Sequence, residues 1–221
     1  MTTDLDRRLH AFRAELADSR LRGQVGAANY VDGKAATVQA PVVDLRPAPD
    51  ASRGIDTQLL RGQKVTVFDQ RDGWAWVQAH ADGYVGYCAL DAIDAQSDAA
   101  SWQPTHRAVV PATFTYQEPN LKTPFGEKLS MGSCVAVVDQ IEQRGTRYAI
   151  TDRGEAIIAK HLMPLGTFND DYVAVAETLL HVPYLWGGAS ALGIDCSGLV
   201  QLSMAQSGHQ VLRDSDMQAN T

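Results

Sequence analysis

Cys196 is the residue in this 221-residue chain best placed to do covalent chemistry. It lies in Gly193-Ile194-Asp195-Cys196-Ser197-Gly198-Leu199-Val200-Gln201, and residues 196–206 carry on with the apolar spacing of a buried helix. That pattern puts the thiol at a helix N-terminus. Unpaired backbone N–H groups there stabilise a thiolate and lower its pKa, which turns a cysteine into a nucleophile. The same first-turn amides can donate to a developing oxyanion. Asp195 is also a residue type suited simply to capping that helix. Pro183-Tyr184-Leu185-Trp186-Gly187-Gly188 lies just upstream, with glycines that let the backbone approach a substrate closely. Arg213-Asp214-Ser215-Asp216-Met217-Gln218 follows downstream. Cys88 and Cys134 fall in strand-like runs and read as core residues. No Cys or His cluster has metal-ligand spacing, so no metal and no cofactor is implied.

The elements that must hold this thiol show in the periodicity. Leu5, Leu9, Phe12 and Leu16 recur at helical intervals and predict a leading helix over 4–17, with Gly23, Gly26 and Gly33 marking a loop after it. From about residue 36 the texture changes to short alternating runs (VTVF, WAWVQA, GYVGY) punctuated by Asp72-Gly73 and Asp82-Gly83, strong hairpin signals that predict a small all-β barrel. The run from Leu59 to Gln70 then aligns without gaps on that from Leu129 to Gln140, and Pro41 answers Pro111 at the same offset of 70 positions. A duplicated module explains this better than chance. Asp94 to Thr105 reads as the linker between the copies, and Pro164-Leu165-Gly166 as a second boundary. Beyond it, residues 170–181 return to helical periodicity behind Asp170 and Asp171, which suit a helix N-terminus.

The three C-terminal blocks together resemble the NlpC-type family of papain-like cysteine peptidases, which cut bacterial cell-wall peptides. Paired SH3-like domains ahead of such a domain look like the cytoplasmic enzymes that recycle free murein peptides, cleaving after γ-D-glutamate in L-Ala-γ-D-Glu-diamino acid substrates. The resemblance implies a multidomain fold: two small all-β SH3-like barrels followed by a truncated α+β papain-like domain. The segments would be 1–33 (N-terminal helix and loop), 34–95 (first SH3-like domain), 96–104 (linker), 105–166 (second SH3-like domain) and 167–221 (the front of the peptidase domain). It further implies that Cys196 attacks the γ-D-glutamyl carbonyl while the Tyr184 hydroxyl helps hold the oxyanion. Asp195, Ser197 and Ser215 would bind the free amine of L-Ala, with Arg213 and Asp214 bracing that pocket. Tyr84, in Gly83-Tyr84-Val85-Gly86, matches an aromatic with which the first SH3-like domain walls off the site. Gln63 stands where relatives often carry an acid, a departure that argues against a charge contact from that position. Trp186 reads more as a core aromatic than as a substrate contact.

In that family the base is a histidine several tens of residues after the cysteine, and only 25 residues follow Cys196. His209 reads as a solvated loop residue, and His181 has no strand-like surroundings. The sequence is therefore expected to be C-terminally truncated, to expose apolar surface of the nucleophile helix, and to be inactive on its own. A formal charge of −7 argues against nucleic acid and anionic membranes as partners, which leaves a peptide substrate. The three unclustered cysteines and the N-terminus, which lacks an apolar leader, point to a reducing cytoplasm. The alternative reading is a non-catalytic SH3-like protein that binds peptides or wall fragments. An acyltransferase or amidase on the same scaffold would share the nucleophile. The intact Cys-Ser-Gly favours an enzyme.

Overall fold

Alternation of apolar side chains between tight turns builds the first β unit in the computed structural model, which describes residues 5–95 and 101–220. Its strands are β1 (Lys34–Val38), β2 (Val42–Leu45), β3 (Thr57–Leu60), β4 (Lys64–Arg71), β5 (Trp74–Ala79), β6 (Val85–Ala89) and β7 (Ile93–Asp94). They pair antiparallel in the order β6-β5-β4-β1-β7, and the β2–β3 hairpin joins through a bridge between Arg46 and Tyr87. Asp72 and Gly73 both take positive φ, the conformation a two-residue hairpin turn requires. Val38, Leu45, Val65, Val77 and Cys88 fill the core. Burial pushes the Cys88 thiol up to about 12, as expected for an inert core cysteine.

The second β unit comprises β8 (His106–Ala108), β9 (Ala112–Tyr116), β10 (Phe125–Ser130), β11 (Cys134–Val135), β12 (Val137–Gln143), β13 (Thr146–Thr151), β14 (Ala156–Ile158) and β15 (Leu162–Pro164). The pairings run β15-β8-β11 and β12-β13-β14-β9-β10. Strand for strand this is the neighbour order of the first unit. The one difference is at Ala136, where the strand that is continuous as β4 divides into β11 and β12. The repeat seen in the sequence is therefore also a repeat of topology. Residues 96–100 of the expected linker lie outside the described residues.

Among its described residues, the segment before β1 does not form the expected helix over 4–17. Its first four residues lie outside the described ones, and from Leu5 onward it runs as a strap of turns and bridges, with Ala17–Asp18 paired to Tyr30–Val31. A lone helix of this length is marginal in water, and the strap finds better partners on the barrel. Ala11 packs with Phe68, Trp76 and Val85, and the Arg13 guanidinium lies 4.6 Å from the Trp76 ring centre and bonds Tyr87 and Asp69.

After β15 come α1 (Tyr172–Glu177), a short hairpin (Ala189–Ser190 with Gly193–Ile194), α2 (Cys196–Gln206) and α3 (Ser215–Gln218). Asp171 caps α1 by accepting from the Val173 and Ala174 amides. Val175, Leu179, Ile194 and Leu202 close around Met131 of the second β unit. No described helix is long and apolar enough to cross a membrane.

Candidate active site

Cys196 is the first residue of α2, and its side chain is exposed. The helix starts there because Asp195 caps it, accepting from the Gly198 amide at 2.7 Å. Gly198 has to be glycine, since a Cβ would run into the Gly188 carbonyl. The Asp195 amide donates to that same carbonyl at 3.1 Å, so the Trp-Gly-Gly block is clamped onto the helix start. Tyr184 bridges to Ile194, which brings its ring alongside the thiol. Its phenol is held above the ordinary range by desolvation first, then by the charges of Cys196 and Asp195 and a hydrogen bond with the Cys196 side chain. Trp186, expected in the core, is instead 73% exposed; Leu185, Leu192 and Val200 are exposed around the same helix.

Behind the thiol lies a buried ionic network centred on Arg213, which is 1% exposed. Its Nη1 donates to Asp195 Oδ1 at 3.0 Å and to Ser197 Oγ at 2.8 Å. Nη2 donates to Asp195 Oδ2 at 2.8 Å and to the Gly188 carbonyl at 3.3 Å, and Nε donates to Thr57 Oγ1 at 2.7 Å. Burial alone would raise the Asp195 carboxyl. Arg213 and the amides of Gly198 and Gly187 outweigh it and hold the group below the usual carboxylate range. A buried guanidinium is tolerable only when its donors are matched in this way. Asp195 and Ser197, expected to receive a substrate amine, are thus committed inside the protein, because both carboxylate oxygens and the hydroxyl already serve Arg213.

The expected residues Tyr84, Asp214 and Ser215 do come together beside this network, joined by one the sequence did not reveal. Tyr84 is 3% exposed and donates to Asp214 Oδ2 at 3.1 Å. Burial first, then the charges of Asp214 and Asp56, push its phenol upward. Asp56 is placed by its neighbours: Ile55 abuts Gly187, and Thr57 accepts from Arg213. Burial and the charge of Asp214 raise the Asp56 carboxyl, while Arg213 lowers it. Nothing local in the sequence marks this aspartate, since only the docking of β3 against the Trp-Gly-Gly block gives it a role. Ser215 begins α3 and is exposed. Gln218 donates to the carbonyls of Ser197 (3.0 Å) and Leu212 (2.8 Å), which folds the third block back onto α2. Gln63 faces elsewhere, accepting from the Leu60 amide at 2.9 Å to close its own turn. His181 and His209 are both exposed, and among the described residues neither bonds Cys196. A cavity of about 280 Å³ between β3 and α2 is lined by Thr57, Gln63 and His209 but not by Cys196, Tyr184, Asp195 or Arg213.

Comparison with known proteins bears on this geometry directly. Residues 181–221 match the NlpC/P60 family, and residues 45–93 match the bacterial dipeptidyl-peptidase SH3 domain. Helix α2, the Tyr184 block and the Arg213 network apart from Thr57 fall inside the first match, and Thr57 falls inside the second. Among curated proteins the chain is 27% identical over 196 residues to dipeptidyl-peptidase 6 of Lysinibacillus sphaericus, covering 81% of this chain and 72% of the relative. It is 24% identical over 180 residues to the γ-D-glutamyl-L-lysine dipeptidyl-peptidase of Bacillus cereus, covering 75% of this chain but 54% of that protein. The crystal structure of an NlpC/P60 family protein from Bacillus cereus shares the fold, with a TM-score of 0.70 at 20% identity, covering 85% of this chain and 77% of that one. The curated relatives that the chain resembles are thus named as dipeptidyl-peptidases.

Proposed function

We propose that this chain is the substrate-binding and nucleophile-bearing part of a cysteine peptidase that cleaves free murein peptides after γ-D-glutamate, in the reducing cytoplasm. Both β units, at 34–95 and 105–166, are SH3-like modules in this reading, and 167–221 belongs to a papain-like domain. The observation that carries it is the exposed Cys196 thiol at the capped N-terminus of α2, with the Tyr184 hydroxyl beside it. In the first step the thiolate forms a bond to the γ-glutamyl carbonyl carbon, and the oxyanion is received by first-turn amides and the Tyr184 hydroxyl. Collapse breaks the C–N bond, releases the diamino-acid portion as an amine and leaves a thioester for water to hydrolyse.

The amino end of the substrate goes to the acidic corner. Asp195 is already neutralised by Arg213, so a peptide ammonium is held by Asp56 and Asp214, with Tyr84 as the wall and Ser215 at the rim. A desolvated carboxylate is a sensible partner for an ammonium and a poor one for an acylated nitrogen. This accounts for preference for a free L-Ala terminus. The leaving amine needs a proton, which a general acid such as histidine supplies in a cysteine peptidase of this type.

Iodoacetamide labelling followed by peptide mapping tests this. Cys196 should react ahead of Cys134 and Cys88 at neutral pH, and L-Ala-γ-D-Glu should protect it while the N-acetylated dipeptide does not. Labelling of Cys196 that ignores the dipeptide would favour a non-catalytic binding protein.

A further inference from the structure

The acidic corner contains more carboxylates than a single substrate ammonium can balance. Asp56, Asp214 and Asp216 converge there, and Asp6 arrives with the N-terminal strap. One guanidinium crosses this cluster. Arg8 Nη1 donates to Asp214 Oδ2 at 2.8 Å and to Asp216 Oδ1 at 3.0 Å, while Nη2 donates to Asp216 Oδ2 and Asp6 Oδ2, each at 2.8 Å. Nε adds a bond of 3.1 Å to Asp6 Oδ2. The oxygen that Arg8 grips on Asp214 is the same one that accepts the Tyr84 hydroxyl.

The backbone fixes where this guanidinium sits. The Arg8 carbonyl accepts from the Val85 amide at 2.8 Å, next to Tyr84, and the Leu9 carbonyl accepts from Gln78 Nε2 at 2.8 Å. Asp6 turns the strap by accepting from the Arg8 amide at 2.8 Å, which aims the side chain at α3. The strap therefore joins three parts at one point: its own turn, the first β unit and the C-terminal block.

We propose that Arg8 is a positioning residue for the substrate's cationic end: it pins one oxygen of Asp214 against Tyr84, answers the surplus charge of Asp216, and leaves Asp56 and the other Asp214 oxygen to meet the ammonium. This rests on the substrate reading given above and adds the N-terminal strap to the specificity machinery. Without Arg8, Asp214 loses one of two donors on a single oxygen and the cation it shares with Asp216, and only Arg213, whose donors are already taken, still offsets the charge of Asp56. Mutual repulsion then turns the Asp214 carboxylate toward solvent, and the pocket wall formed with Tyr84 loosens.

The test is calorimetric titration of the chain with L-Ala-γ-D-Glu and with its N-acetyl form. Arg8→Gln keeps the length and one amide donor but removes the charge, and is expected to weaken dipeptide binding about tenfold, the worth of one charge-assisted hydrogen bond. Arg8→Lys restores the charge without the fork and should recover part of that loss. The N-acetyl dipeptide should bind all three proteins equally weakly. The Arg8 side chain is 39% exposed, so both variants should keep the wild-type urea midpoint. Equal or tighter dipeptide binding by Arg8→Gln overturns the inference and leaves the substrate reading standing, since simple charge removal would favour an ammonium. A wild-type chain that does not distinguish the two dipeptides sinks the substrate reading, and this inference with it.

Discussion

In the first β unit the turn after β3 reads Leu60-Arg61-Gly62-Gln63, and in the second the equivalent turn after β10 reads Ser130-Met131-Gly132-Ser133. Both glycines have positive φ and both turns are buried, yet each grips a different neighbour. Arg61, 3% exposed, pairs with Glu127 and Glu155 of the second unit, and its carbonyl accepts from the Cys134 amide at 2.7 Å. Met131 instead packs against Val175, Leu179 and Leu202 of the α1–α2 layer. The duplicated turn thus passes contact down the chain twice, first through charge and then through apolar surface. Topology sets where the grip falls, and one side chain sets what kind of grip it is.

Exchanging those side chains should show how far the two seams differ. Met131→Arg is expected to be the most damaging change, at about 5 kcal/mol, because it leaves a charge unpaired among apolar neighbours. The drop in urea midpoint measures it, and a loss under about 1 kcal/mol would show that the second seam tolerates charge after all. Gly62→Ala comes next, at about 4 kcal/mol, from left-handed strain plus overpacking, since its Cβ would collide with the Cys134 backbone carbonyl. Gly132→Ala should cost about half of that, roughly 2 kcal/mol. Its Cβ meets only side-chain ends, Leu60 at 3.1 Å and Leu202 at 3.2 Å. Equal losses for the two glycines would contradict a rigid first seam and a yielding second one. The reverse exchange, Arg61→Met, is expected to cost only about 2 kcal/mol, because Glu127 and Glu155 reach solvent and can hydrate once freed.

How much of this was legible beforehand follows the range of the forces involved. The extent of α2, its Asp195 cap and the thiol at its start are local, and the sequence pattern from Asp195 to Gln206 predicts all three. The repeated turn was legible because its glycine and flanking β-branched residues recur at a fixed offset. The leading helix was misread because the spacing of Leu5, Leu9, Phe12 and Leu16 suits a helix as well as a strap. What decides between them is a backbone partner 77 positions away, where the Val85 amide meets the Arg8 carbonyl. Asp56 and the commitment of Asp195 to Arg213 were hidden for the same reason, since both depend on β3 docking beside α2.

The smallest expected effect reads the first seam without unfolding anything. Cys134 lies in that seam, and burial pushes its thiol up to about 11, with Arg107 working the other way. Cys88 lies in the first core and is raised to about 12 by burial alone. A thiol whose ordinary value is lifted this far is almost entirely protonated at pH 8 and alkylates slowly. Loosening the charged seam exposes Cys134 locally, whereas Cys88 becomes reactive only when the barrel opens as a whole. In Arg61→Met the alkylation of Cys134 at pH 8 should therefore accelerate several-fold more than that of Cys88, with Cys196 serving as the exposed reference in the same digest. If Cys88 and Cys134 accelerate in step, the two β units unfold as one body, and Arg61 contributes to global stability instead of governing a seam of its own.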